Sequence, residues 1–351
     1  MRAHRKRYGF SQSVQRHVGA LWFFMFSCFV QQEHLSNHCQ SFHAQVPHTS
    51  CMPKILRSMV VTAVFGALAA TGETQGAHDW QNAVEHAARL APEARIVVLD
   101  VATSRLLASH RLSEAARTLA APGSTLKPLV LYGLLSAGHW NPERRVACDG
   151  LLVVAGHRLA CSHPKAPPFN AREALAWSCN SYFAEMARTL EPGELERLLR
   201  PTGMLDTTGL VHAEATAEFR APRNVDDAQL ALLGVEGVRV TPLELAAAYR
   251  WLVLEFASHP DSGATDVVRA GLEDSARFGM ASEASQGGVR VTGKTGTAEG
   301  VDTSRTHGWF AGMAPAEKPQ AVVVVYVPSG RGADAARVAG ELLKHAPAER
   351  P

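Results

Sequence analysis

The chain has 351 residues, 46% of them hydrophobic and 19% charged, which fits a globular body with a sizeable core and excludes a disordered or fibrous one. Its formal net charge of +2 is unevenly spread: seven Lys/Arg and two Asp/Glu precede His78, leaving 28 against 31 in the remainder. A slightly acidic body with no basic stripe argues against phosphate-backbone binding, so no nucleic-acid partner is expected.

Residues 1–51 are rich in His, Gln, Ser and Arg and read as an upstream extension, either disordered or not translated. At Met52 the text changes to "MPKILRSMVVTAVFGALAATGETQGA". Lys54 and Arg57 form a basic start, Met59 to Ala70 an apolar run, and Gly76-Ala77 a small-residue cleavage site. That layout predicts a signal peptide over 52–77 and a mature body over 78–351, exported to the periplasm or another extracytoplasmic space. The apolar run is too short to cross a bilayer, although left uncleaved it would tether the chain weakly. The histidines upstream, with Cys39 and Cys51, lack metal-ligand spacing, and no metal or cofactor is expected.

In the body, "DWQNAVEHAARL" reads as an amphipathic helix, and "ARIVVLDVATSRLLASHRL" as two strands around a polar turn. "ACDGLLVVAGHRLACSH" reads as a hairpin that would bring Cys148 opposite Cys161; in an oxidising compartment the two are expected to bond, the alternative being two separate buried thiols. Helix starts follow at Asn170 to Glu173 and at Thr241-Pro242-Leu243-Glu244. "GGVRVTGKTGTAEG", "THGWFAGMAP" and "AVVVVYVP" are late strands, and "GADAARVAGELLKHA" is a closing helix. Strands at both ends with helices between predict an α+β fold: one sheet built from distant halves, with a helical insertion over about 124–285.

Three short motifs carry the chemistry. "PGSTLKP" places Ser124 and Lys127 one turn apart at the start of a helix. "WSCNSYF" places Ser178 and Asn180 on a turn, and "GKTGT" places Lys294, Thr295, Gly296 and Thr297 on a strand. Taken singly, Ser124 reads as a helix cap, Ser178 to Asn180 as an Asn-containing turn and Lys294 as a solvated strand residue. Together and in order, S-x-x-K, S-x-N and K-T-G are the signature of serine acyltransferases acting on penicillin-like acyl groups.

On these motifs and the phrases around them, "PGSTLKPLVLYGLLSAGHWNPE", "ALAWSCNSYFAEMA", "VRVTPLELAAAYRWL" and "VTGKTGTAE…HGWFAGMAP", residues 92 to 345 resemble the transpeptidase domain of penicillin-binding proteins. The resemblance implies a five-stranded antiparallel sheet flanked by helices, an all-helical subdomain, and a site between them. It implies a serine D,D-transpeptidase that takes peptidoglycan stem peptides and β-lactam antibiotics, without a cofactor. The transpeptidase-like part begins close to the proposed cleavage site, so the reading expects neither a pedestal nor a glycosyltransferase domain, and expects another cell-wall protein as a possible partner.

The chemistry agrees with that assignment. A serine hydroxyl needs a base, and Lys127 can serve if burial and a second cation, Lys294, hold its pKa down. Ser178 is placed to relay a proton to the leaving nitrogen, and Asn180 to hold a substrate amide and fix the lysine. Lys294 and Thr295 offer a cation and a hydroxyl to a substrate carboxylate, and Gly296 lets the substrate backbone lie close. The backbone N–H groups of Ser124 and Thr297 form the expected oxyanion hole. His307 and Trp309 are read as lining a strand, His163 as a turn former and Cys179 as a small filler. The competing activities are a D,D-carboxypeptidase, a β-lactamase and a non-catalytic penicillin-acylated scaffold or sensor. Glu214 and Glu218 do not match the E-x-x-L-N deacylation loop of one lactamase class, and Asn180 stands where another carries Val, so the lactamase reading is weak.

Overall fold

The computed structural model describes residues 78–286, 288–299 and 305–347. The expected extension and signal peptide lie outside these residues. A first helix, α1, covers 78–88. Strands β1 (Arg95–Asp100) and β2 (Leu106–His110) form a hairpin, turned where Asp100 Oδ1 accepts from Thr103 N–H at 2.7 Å and Thr103 Oγ1–H at 2.8 Å. The short helix α2 (Leu112–Ala115) leads to a 3-10 turn, Gly123–Leu126, that runs into α3 (Lys127–Ser136). The ribbon β3 (Leu151–Val154) and β4 (His157–Ala160) follows, then α4 (Ala171–Ala176), α5 (Asn180–Ala187) and α6 (Glu194–Leu199). A second ribbon, β5 (Glu218–Phe219) with β6 (Val238–Arg239), brackets α7 (Val225–Leu232). Helices α8 (Pro242–Ser258) and α9 (Gly263–Arg277) precede β7 (Thr292–Glu299), β8 (Thr306–Ala314), β9 (Ala321–Val327) and the closing α10 (Gly332–Lys344).

The five-stranded sheet has the order β2-β1-β9-β8-β7, every pair antiparallel. The α+β expectation therefore holds, and the early hairpin joins the late meander through β1 and β9. Side chains alternate across a strand, and here both faces are covered. Val97, Leu99, Val322, Val324 and Trp309 enter one core with α3, α5 and α8, while Ile96, Val98, Val323, Val325 and Phe310 enter a second with α1 and α10. All seven residues of β9 are buried, which is why its sequence is a continuous apolar run rather than an alternating one. Full burial of each such valine contributes about 1.5–3 kcal/mol.

Both expected capping boxes form. Asn170 accepts from Glu173 N–H while Glu173 accepts from Asn170 N–H, and Thr241 and Glu244 do the same with Pro242 at the first helical position. The interval between β2 and β7 is less purely helical than expected, since it carries two ribbons. Nor is it wholly separate: α8 packs on β1, β8 and β9, and Arg250 Nε–H reaches Val101 O at 2.7 Å. Amphipathic spacing identifies a helix but not the neighbour that its apolar face meets.

Candidate active site

The turn that carries Ser124 is pinned from three sides. Pro122 ends the approach and Gly123 takes φ 55°, a left-handed value that glycine adopts without the strain of a side chain. Gly123 N–H donates to Gly234 O at 2.9 Å, and Thr125 Oγ1–H to Pro122 O at 2.7 Å. From α8, Tyr249 O–H donates to Thr125 O at 2.9 Å. From β8, His307 Nε2 and Trp309 Nε1 both bond Ala121 O at 2.9 Å; the carbonyl acceptor makes His307 the Nε2–H tautomer. Burial lowers the pKa of His307, which keeps it neutral. His307 and Trp309 were read as lining a strand. They hold the backbone three residues before Ser124, and nothing in the sequence signals a bond across that separation.

Strand β7 lies against this turn almost backbone to backbone. A Cβ on Gly296 would sit 2.5 Å from Pro122 O and 3.3 Å from Ser124 N, and one on Gly123 would sit 3.1 Å from Thr297 N. Gly296 thus makes room for the Ser124 turn itself, not for the substrate backbone expected there. Alternation along β7 then turns Thr295 and Thr297 to the opposite face. Thr295 Oγ1–H donates to Met280 O at 3.2 Å, and Thr297 Oγ1 accepts from Gly332 N–H at 2.9 Å. The expectation that the Thr295 hydroxyl points with Lys294 toward a carboxylate is not met.

The second motif turns between α4 and α5. Ser178 adopts φ 57°, uncommon for a residue with a side chain, and such a conformation persists where its surroundings enforce it. The turn delivers two oxygens of one residue to Lys127. Lys127 Nζ donates to Ser178 O at 3.0 Å, to Ser178 Oγ at 3.3 Å and to Asn180 Oδ1 at 2.7 Å, with the Phe183 ring 5.0 Å away. Asn180 Nδ2–H reaches Ala160 O on β4 at 3.2 Å, so the β3–β4 ribbon braces the same side chain.

Lys127 is fully buried, and that burial pushes its pKa down to about 8, against the opposing pull of the nearby cysteines. Lys294, also fully buried, donates to Thr295 O at 3.0 Å; burial first, then the charge of Lys127, hold it well below the ordinary lysine range. Burial is thus the first cause of the lowered pKa at both lysines.

A profile of the penicillin binding protein transpeptidase domain matches residues 94–347. The chain belongs to that family. This transpeptidase-family chain is 28% identical over 247 residues to the peptidoglycan D,D-transpeptidase PbpA of Mycolicibacterium smegmatis, covering 60% of this chain and 50% of the relative. It is 27% identical over 248 residues to the stage V sporulation protein D of Bacillus subtilis, covering 60% of this chain and 38% of that protein. It thus spans half or less of the length of these curated relatives. The transpeptidase domain of penicillin-binding protein 3 from Burkholderia pseudomallei superposes with a TM-score of 0.67 at 21% identity, covering 78% of this chain and 93% of that one.

The expected Cys148–Cys161 disulfide is absent: Cys148, Cys161 and Cys179 are free thiols. The hairpin forms, but Leu151 pairs with Ala160 and Cys161 N–H bonds Gly150 O, so Cys161 faces Gly150 and Cys148 lies two residues further along. Among the described residues, no helix is long and apolar enough to cross a membrane.

Proposed function

We propose that this transpeptidase-family chain is a serine acyltransferase that resolves its acyl-enzyme on an amine of a second peptidoglycan stem peptide, acting outside the cytoplasm. The observation that carries the reading is the buried hub at Lys127, where one amine nitrogen meets Ser178 Oγ and Asn180 Oδ1 and sits one turn after Ser124. Ser124 Oγ attacks the donor carbonyl as Lys127 takes its proton. The resulting oxyanion is met by the N–H groups of Ser124 and Thr297. Ser178 passes the proton from Lys127 to the departing nitrogen, and the C–N bond breaks to leave the acyl-serine. The acceptor amine then attacks, loses a proton to the same hub and regenerates Ser124. Burial disfavours the charged form of Lys294, and an arriving substrate carboxylate offsets that burial, so the pair forms as cation and anion. β-Lactams enter as acyl donors whose leaving group stays attached. A second cell-wall protein that presents the strands is the partner proposed for this chain.

The test is intact mass after incubation with benzylpenicillin, with Ser124→Ala as the control. A stable one-to-one adduct on the wild type alone supports the reading. Rapid decay of the adduct with turnover of free drug transfers the assignment to a β-lactamase. Absence of an adduct on folded protein transfers it to a non-catalytic scaffold. Water as the only acceptor with a stem-peptide donor would instead identify a carboxypeptidase.

A further inference from the structure

Beside the hub, and with no part in the chemistry above, four ligating side chains converge. Cys148 and Cys161 flank the β3–β4 ribbon, His163 follows it, and Cys179 stands between Ser178 and Asn180. One ligand atom from each lies within 4.8 Å of every other. In a tetrahedral zinc–thiolate site the ligand atoms stand roughly 3.7 Å apart, so side-chain adjustments of about an ångström close the set around an ion. From this convergence we infer that Cys148, Cys161, His163 and Cys179 form a structural zinc site that ties the ribbon to the catalytic S-x-N turn.

The surroundings suit an ion better than four idle side chains. His163 Nδ1–H donates to Pro164 O at 2.8 Å, which fixes the tautomer and leaves a lone pair on Nε2. That Nε2 is buried and bonds no group, one of four such side-chain atoms among the described residues. A histidine oriented by a backbone carbonyl through its other nitrogen is the usual state of a metal ligand. The sulfurs are likewise supported: Asn180 N–H donates to Cys161 Sγ at 3.2 Å, and Ser181 Oγ–H to Cys148 Sγ at 3.4 Å. Coordination converts three S–H groups to thiolates, releases three protons and leaves His163 neutral. Four protein ligands fill a tetrahedral shell, so the site holds no open position for substrate and its role is to hold the turn.

The test uses the full chain purified under reducing conditions without chelator. Metal content is measured by elemental mass spectrometry, and the cobalt-substituted protein by absorption. Comparison with Cys161→Ser and His163→Ala separates this site from the cysteines and histidines upstream of residue 78. We expect the wild type to hold one equivalent of zinc more than either variant, and to show the sulfur-to-cobalt charge-transfer bands of a tetrahedral site. His163→Ala should weaken cobalt binding by about tenfold or more. His163→Cys should keep a tetrahedral spectrum with stronger charge transfer, which covers the case in which the alanine variant fails to fold. Equal metal in wild type and variants overturns the inference, as does a wild type without the charge-transfer bands. So does a peptide map that joins Cys148 to Cys161 with two hydrogens lost and no metal bound. None of these readouts depends on acyl transfer.

Discussion

If Lys127 is the base that takes the proton of Ser124, acylation must follow its deprotonation. With a pKa pushed down to about 8 by burial, roughly 10% of the sites are competent at pH 7 and roughly 90% at pH 9. The second-order rate of acylation by a chromogenic or fluorescent penicillin should therefore rise about tenfold per pH unit below the midpoint and level off above it. Asn180 gives a way to move that midpoint. Its Oδ1 accepts from Lys127 Nζ at 2.7 Å, so Asn180→Asp places a carboxylate in the same position with almost no change of shape. An opposite charge at such a distance stabilises the ammonium and raises the midpoint by about 1–3 pH units. At pH 7 the variant should then acylate roughly 10-fold to 1,000-fold more slowly, with the deficit shrinking as pH rises. Stopped-flow or quenched-flow acylation between pH 6 and 10, corrected for spontaneous hydrolysis of the drug, reads both curves. A wild-type midpoint near that of free lysine, or an Asn180→Asp profile that falls at all pH values by one constant factor, would refute the role given to Lys127.

Three further outcomes follow from the packing. Gly296→Ala puts a methyl 2.5 Å from Pro122 O, a backbone atom that cannot swing away, so we expect about 1–3 kcal/mol of lost stability by denaturant titration and a marked loss of acylation. His307→Phe leaves Ala121 O with its Trp309 partner and should cost about 1 kcal/mol, but the double variant with Trp309→Phe orphans a buried carbonyl and should exceed the sum of the single losses. A double-mutant cycle measures that excess, and the acylation rate should drop with it. Asn170→Ala removes the cap of α4, with an expected cost of about 1 kcal/mol in urea.

How much of this was legible in the sequence depends on distance along the chain. The capping boxes at Asn170 and Thr241 are written within four residues, and both form as read. The apolar run of β9 announced a strand buried on both faces. The three motifs were recognisable because their order, rather than any one of them, is improbable. What remained illegible was set by tertiary register. The direction of the Thr295 hydroxyl follows from which face of β7 meets the Ser124 turn, which the pattern K-T-G does not state. The double bond from His307 and Trp309 to Ala121, and the bracing of Asn180 by Ala160, join segments whose meeting no local pattern encodes. The hairpin was read correctly, yet its pairing, offset by two residues from the assumed one, left Cys148 and Cys161 as free thiols beside a third.

The order of strands in the sheet also bears on how the chain comes to be folded. Val98 pairs with Val323, so the loop closed by that contact contains the Ser124 turn, the S-x-N turn and β7. Contacts this far apart in sequence form late and slowly, because the loop-closure entropy must be met before any stabilisation returns. The early hairpin cannot complete its sheet until the last strand has been synthesised. A chain cut just before Ala321 would retain every side chain assigned to catalysis and lack β9, the strand between β1 and β8. Such a fragment should expose two sheet halves with open edges and be recovered as aggregate rather than as a weak enzyme.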